Sequence, residues 1–414
     1  MLEKVLRDPV HGYIRVENEI IYQLINTAEF QRLRRIKQLG TSSFVFHGAE
    51  HSRFSHCLGV YHIAKTITDY FTEHGFIFWN PEENLVTQCA ALLHDVGHGA
   101  YSHTFEGLFG TDHEAITREI ILSELTEVGR ILRQVSPDFP AQVASVISHD
   151  YPNPQVTALI SSQIDADRMD YLLRDAYFTG AVYGNFDIMR ILQFITPTEH
   201  GIAFRENGMH AVEDYLVSRY QMYQQVYFHP ASRAVVVALK LLLKRAKDLF
   251  PENRAYFEAT SPHLVPFFEN ASTLSDYLQL DDGVMAAYFQ AWGASSDAIL
   301  AELAQNVVNR HLLKSVKLAD TTTDILSATH ALIPNASYFS DVQNSFDLPY
   351  DDYNPETERT PIEILTADGK LTELSTLSPL VRALTGEKFG DSRFYFPKEM
   401  LQNTDFMTRM RDFT

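Results

Sequence analysis

At 414 residues the chain exceeds one ordinary domain, although a large helical enzyme reaches this length around one extended core, and its 45% hydrophobic content suffices to bury one. Its 53 acidic residues outnumber 34 basic ones for a net charge of −19, which argues against the long cationic faces that DNA or RNA needs, though not against a local basic pocket for a small polyanion. Two cysteines, Cys57 and Cys89, point to reduced thiols and a cytoplasmic setting; the amino terminus lacks an apolar signal core, and the run AVVVALKLLL is too short for a membrane span and carries Lys240.

No fixed-period repeat or low-complexity tract is present. Asp8 to Glu19 reads as an extended or hairpin segment, and Ile20 to Leu39 has helical periodicity, with Leu24, Ile25, Phe30, Leu33 and Ile36 on one side. Helices are predicted at 56–73, 82–94, 113–125, 127–134, 140–148, 156–177 and 187–194. The stretch GIAFRENGMHA suggests a small hairpin turning near Asn207-Gly208. Long helices resume over 211–250 and recur to about Lys317. Beyond Ser337 the composition changes: DLPYDDYNPETERTP is an acidic, proline-bearing loop, and IEILTADGKLTEL alternates around Asp368-Gly369 as a hairpin does. The fold class is therefore mainly α, with residues 1–320 as a helical body and residues 321–414 as a smaller α+β appendage.

Within ALLHDVGHGAYSH the residue types change from packing to chemistry. Four of the 17 histidines (His94, His98, His103 and His113) fall within twenty residues, several times their even share. On a helix His94 and His98 would share a face, with Asp95 beside His94. Gly97 and Gly99 let the backbone approach a ligand or end the helix. Imidazole nitrogen and carboxylate oxygen suit Mn, Fe, Co, Ni or Zn. Any one of these histidines could be a hydrogen-bonded core residue; the adjacent His-Asp pair inside a cluster favours a metal. Two further groups could complete a shell. HSRFSHCLGVYHIAK offers His51, Arg53, His56 and His62. In SSQIDADRMDYLLRDAYFTG, Asp167, Tyr171 and Asp175 recur every four residues as one polar stripe, beside Asp165, Arg168 and Asp170. Such a stripe alone is more simply a solvated helix face.

The order His56, His94-Asp95, Asp167 resembles the signature of the HD superfamily of metal-dependent phosphohydrolases. The words DPVHGYI, FQRLRRIKQLG, HSRFSHCLGV, LLHDVGHGAYSHTFEG, DHE and DADRMDYLLRDAYFTG, in order from about Asp8 to Lys314, are similar to those of the deoxynucleoside triphosphate triphosphohydrolases within it. The resemblance implies an HD-domain helical bundle, its core at about residues 50–180. It implies that His56, His94, Asp95 and Asp167 hold one divalent metal per subunit, which could also be Mg, with further Mg accompanying the nucleotide. His98, His103 and His113 would line the triphosphate, with His103 as proton donor oriented by Glu106 or Glu114. Arg53, Arg168 and Arg219 would neutralise phosphate oxygens. Gln38 and Asp175 would hydrogen-bond a 3′ hydroxyl, Tyr171 would crowd the 2′ carbon, and Tyr227 would line the pocket. Phe228 departs from the glutamine of the mammalian sterile-alpha-motif/HD member. A second nucleotide site between subunits of a homotetramer is also implied. There Gln31 and Arg34 would read the activator base, Asn26 replaces an aspartate, and Arg190, Arg205, Arg310 and Lys314 would contact its phosphates.

The expected activity is hydrolysis of a deoxynucleoside triphosphate to deoxynucleoside and inorganic triphosphate, with a nucleotide activator. Two other readings compete: another HD phosphohydrolase (a nucleotidase or cyclic-nucleotide phosphodiesterase), and a non-catalytic nucleotide sensor. The phosphate species released separates the first two, and an intact ligand set argues against the third.

Overall fold

The computed structural model describes residues 3–319, 324–347, 361–386 and 389–413, without the side chains of His103, Phe346, Asp347 and Phe389. The acidic loop expected at 347–361 lies almost wholly outside the described residues. The chain is mainly helical. Its axis is the helix Arg53–His74, where Cys57, Val60, Tyr61, Ala64, Ile67 and Phe71 are all buried. The helix Asn84–Leu93 is apolar on nearly every side from Val86 onward and packs along it, as a helix without a polar face must. The helix Ala166–Thr179 packs on the same axis. These elements share one buried cluster with the N-terminal hairpin. A second cluster forms around the helix Pro230–Leu249 and the helices Asp282–Trp292 and Ala298–Val308.

Several predicted elements stand, with changes that matter for the site. The first segment is an antiparallel hairpin, Lys4–Asp8 with Gly12–Val16. The helix predicted over 20–39 is broken into Glu19–Ile25 and Ala28–Arg32, because Thr27 caps the second helix by accepting from Phe30 N–H. The helix predicted over 156–177 is two, Pro154–Ile160 and Ala166–Thr179. Ser161 and Ser162 interrupt it, and the Asp165 carboxylate accepts from the Arg168 N–H to start a new helix. His94 and His98 do not share a helix face: the helix stops at Leu93 and the chain continues in turns to Tyr101. The hairpin predicted within 201–211 does not form: Gly201–Arg205 pairs backward with Ile195–Thr198, and Asn207-Gly208 leads instead into the helix Met209–Met222.

The hairpin at Asp368-Gly369 is present as Glu363–Leu365 and Leu371–Glu373. It extends the earlier pair into a four-stranded sheet through a parallel contact, Phe204 opposite Ile364. The strand Lys314–Lys317 pairs with Phe389–Phe396, which also pairs with Asp341–Asp347. Strand pairing therefore crosses residue 320 in both sheets. Among the described residues no single helix is long and apolar enough to cross a membrane.

Candidate active site

Three helices bring four residues together. His56 lies one turn into Arg53–His74, His94 and Asp95 follow Asn84–Leu93, and Asp167 occupies the first turn of Ala166–Thr179. His56 Nε2 is 3.0 Å from Asp167 Oδ1 and 3.8 Å from Asp95 Oδ2. His94 Nε2 is 3.5 Å from Asp167 Oδ1 and 3.4 Å from Asp95 Oδ1. The other ring nitrogens are spoken for: His56 Nδ1 is 2.7 Å from Asp170 Oδ2, and His94 Nδ1 is 2.9 Å from the Ala91 carbonyl. Facing acceptors, each Nδ1 carries a proton, which leaves each Nε2 turned to the carboxylates.

Neither buried Nε2 has a hydrogen-bond partner in good alignment among the described residues. His56, His94 and Asp95 place donor atoms within 4.8 Å of one another, and Asp167 faces both nitrogens, so the residues fit a borderline divalent ion. Burial disfavours a charged His56, yet the nearby carboxylates of Asp167 and Asp170 outweigh it and lift its pKa to about 10. The cluster thus demands positive charge, and a divalent cation can replace the proton that otherwise supplies it. Burial likewise opposes ionised Asp95, but His98, His94 and Arg53 hold its carboxyl well below the usual range.

A second group abuts the first through Asp95. His98 Nε2 is 3.2 Å from Asp95 Oδ1, and His98 Nδ1 meets the Ser102 hydroxyl. Burial, then the Arg53 charge, push the His98 pKa down to about 3, so this imidazole is neutral. The His113 ring stacks on it at 3.9 Å, and His113 Nδ1 is 2.9 Å from Glu106 Oε1. Burial opposes a proton on His113, but the Glu106 carboxylate prevails and raises its pKa. Gly97 allows this approach: a Cβ there would stand 2.4 Å from the His113 carbonyl oxygen and from the Thr117 nitrogen. The backbone of this turn is held by Arg32 Nη1 on the His98 carbonyl (2.8 Å) and Tyr277 Oη on the Gly97 carbonyl (2.9 Å). Glu114 is exposed in the first turn of His113–Leu122, where Asp112 caps its N–H, and Glu106 is the carboxylate beside His113. His103 lies on the helix Ser102–Phe109, three residues before Glu106; its side chain is outside the described residues.

The expected sugar contacts also gather. Asp175 accepts from Tyr227 Oη at 2.8 Å and lies 2.7 Å from His51 Nε2. Tyr171 meets Tyr227 edge-on at 6.2 Å. A π-helical turn at Tyr223–Tyr227 orients that tyrosine and leads to Phe228. Gln38 donates its backbone N–H to the His51 carbonyl at 3.0 Å, while its buried Oε1 has no hydrogen-bond partner among the described residues. The arginines divide. Arg53 binds Asp95 directly. Arg168 bonds to Asp165 and to the Ser162 carbonyl, and with Arg219 it lines a cavity of about 610 Å³ that also touches His149, Tyr151 and His200.

The residues expected at an activator site fall into smaller sets within one chain. Arg34 Nε donates to Gln31 Oε1 at 2.8 Å, and Asn26 is turned to the Tyr22 carbonyl. Arg190 and Arg205 flank one ring, Phe194, at 4.9 and 5.1 Å. Arg310 Nε donates to the Phe44 carbonyl at 2.6 Å, and Lys314 is exposed at a strand start.

His11 stood in the quoted words without a role, and His51 and Asp170 stood there only among the residues that could complete a shell. What would have found Asp170 is its place three residues after Asp167 on the same helix. His11, 159 residues away from it, had no local signal.

Residues 53–175 match the HD domain, and residues 186–409 match the HD-associated region. The uncharacterized protein YwfO of Bacillus subtilis is 49% identical over 408 residues, covering 96% of this chain and 93% of that protein. The deoxynucleoside triphosphate triphosphohydrolase SAMHD1 of Gallus gallus is 30% identical over 289 residues, which cover 60% of this chain and 46% of that longer protein. The crystal structure of a phosphohydrolase from Bacteroides thetaiotaomicron superimposes with a TM-score of 0.83 at 27% identity, covering 96% of this chain and 100% of that one. With the HD motif assembled on three helices and both regions matched along nearly its whole length, the chain belongs to the HD-domain phosphohydrolases.

Proposed function

We propose that this hydrolase cleaves deoxynucleoside triphosphates to deoxynucleoside and inorganic triphosphate. The observation that carries the reading is the contact of two groups through Asp95: the His56, His94, Asp95 and Asp167 cluster on one side, and the His98, His113 and Glu106 set on the other. A divalent ion held by His56, His94, Asp95 and Asp167 would neutralise phosphate charge and lower the pKa of water towards about 7. Water oxygen attacks the α-phosphorus, the bond from that phosphorus to the 5′ oxygen breaks, and triphosphate departs carrying the new oxygen. The nucleoside 5′ oxygen needs a proton. His113, whose hold on a proton Glu106 strengthens, can deliver it, and His103 is the alternative donor by its position. Arg53, Arg168 and Arg219 would bind the triphosphate oxygens. Asp175, oriented by His51 and Tyr227, would accept a 3′ hydroxyl beside Gln38, and Tyr171 would exclude a 2′ hydroxyl.

Relatives named as deoxynucleoside triphosphate triphosphohydrolases support the substrate class. Phosphorus NMR of a dNTP reaction tests the chemistry: tripolyphosphate is expected, and stepwise loss of the γ-phosphate would refute it. A dATP rate well above the ATP rate is expected in the same assay; equal rates would refute the sugar pocket. Arg190, Arg205, Arg310 and Lys314, with Gln31 and Arg34, are proposed to take a nucleotide activator between subunits of a homotetramer.

A further inference from the structure

The outer side of the ligand cluster is closed by a segment remote in sequence. Asp170 is fully buried, and its carboxylate meets His56 Nδ1 (2.7 Å), His11 Nε2 (2.6 Å) and Arg174 Nε and Nη2 (2.8 and 2.9 Å). His11 comes from the turn of the N-terminal hairpin. Asp8 shapes that turn: its Oδ1 accepts from the N–H groups of Val10 and His11, and its Oδ2 accepts from Arg174 Nη1 at 2.8 Å. The same aspartate therefore presents His11 and anchors the arginine that shares Asp170 with it. Room for this junction is made in the facing helix by Gly59, where a Cβ would lie 1.8 Å from Asp170 Oδ1.

The two histidines use different oxygens of one carboxylate: His56 faces Oδ2 and His11 faces Oδ1. A donor on Oδ1 restrains rotation of the carboxylate, which in turn fixes the plane of the His56 ring and the direction of its Nε2. Carboxylates behind a ligating histidine orient it and raise its basicity, and losing such support typically costs 10–100-fold in metal affinity. We infer that His11 is a positioning residue for the metal ligand His56, acting through Asp170, so that the N-terminal hairpin forms part of the metal centre. This rests on the reading of His56, His94, Asp95 and Asp167 as metal ligands.

The test measures metal binding, not turnover. The full-length chain is titrated with Mn²⁺ in competition with a chelator, and the Co²⁺-loaded protein is compared by its visible absorption. In His11→Gln the amide nitrogen can take the place of Nε2, whereas in His11→Asn it reaches only as far as Nδ1. His11→Asn should bind Mn²⁺ about 10–100-fold more weakly and alter the Co²⁺ spectrum. His11→Gln should stay close to the parent in both. Tyr13→Ala, an exposed position on the same hairpin, should leave affinity unchanged and so separates positioning from hairpin stability. His11→Phe, which keeps a ring without the N–H, serves the same comparison if the asparagine variant does not fold. Parent-like affinity in His11→Asn, or equal losses in His11→Asn and Tyr13→Ala, would overturn the inference alone. A parent chain that binds no ion would overturn the ligand assignment with it.

Discussion

Replacing Gly59 by alanine should destabilise the protein, although local propensity says the opposite. In a helix interior alanine is favoured over glycine by about 1 kcal/mol. At Gly59, however, the new Cβ would stand 1.8 Å from Asp170 Oδ1, 2.6 Å from its Cγ and 2.5 Å from Arg174 Nη2, where ordinary contact begins at 3.4 Å. The carboxylate would have to retreat by roughly 1.6 Å, the difference between those separations. Its contacts with His56, His11 and Arg174 measure 2.6–2.9 Å and would not survive that shift together. Breaking a buried ionic network costs about 3–5 kcal/mol, so after the gain in propensity a net loss of roughly 2–4 kcal/mol remains. Calorimetry of the metal-free protein should show a fall in Tm of about 2–5 °C, the shift expected of a 414-residue chain. Gly107→Ala is the matched control, since a Cβ on that exposed helical glycine meets nothing within 4 Å. It should be neutral or stabilising. A Gly59→Ala protein as stable as the parent, with its metal affinity intact, would refute the packing argument.

Asp167→Ala and His94→Ala should each abolish metal retention while circular dichroism stays close to the parent, because a ligand is lost and the core is not; full occupancy by metal analysis would reject the assignment. His62 should make the fold acid-sensitive: burial, then the neighbouring His11, press its pKa from 6.5 down to about 4, with Lys65 adding to this and Asp8 and Asp170 opposing it. Between those values the unfolded chain takes up a proton that the folded chain refuses, so stability falls as pH drops through the window, by up to about 1.4 kcal/mol per unit. Urea midpoints at pH 7, 5.5 and 4.5 should decline less steeply in His62→Gln, and identical slopes would refute this origin. Arg310→Ala should weaken nucleotide-dependent assembly and activation, followed by light scattering beside paired-dNTP assays, while metal content is unchanged; assembly and activation equal to the parent would remove Arg310 from the activator site.

What the sequence revealed was local or carried by quoted words. The buried helices Arg53–His74 and Asn84–Leu93, and the Asp368-Gly369 hairpin, follow from periodicity and turn chemistry. His56, His94, Asp95 and Asp167 could be named because their words match a family, and three helices bring them together. The helix drawn through His94 and His98 failed for a tertiary reason: Arg32, Thr117 and Tyr277 capture the backbone that a continuing helix would satisfy itself. Glu114 was named beside Glu106 as an orienting carboxylate, and in the fold Glu106 stands 2.9 Å from His113 while Glu114 is exposed. His11 lay beyond any local rule, since its partner is set by how the N-terminal hairpin docks.

The four-stranded sheet has a consequence for how the chain is made. Gly201–Arg205 emerges from the ribosome long before its parallel neighbour, because Phe204 is matched with Ile364. At about 5–20 residues per second, the intervening stretch takes on the order of 10–30 s to synthesise. Throughout that interval the strand presents an unpaired edge of N–H and C=O groups, the kind of template on which nascent chains stick to one another. A chain truncated before Glu363 would keep the HD ligands and the helices that carry them, yet leave that edge open permanently. Such fragments should accumulate as aggregates when overproduced, whereas the full-length product covers the edge as its last strands arrive.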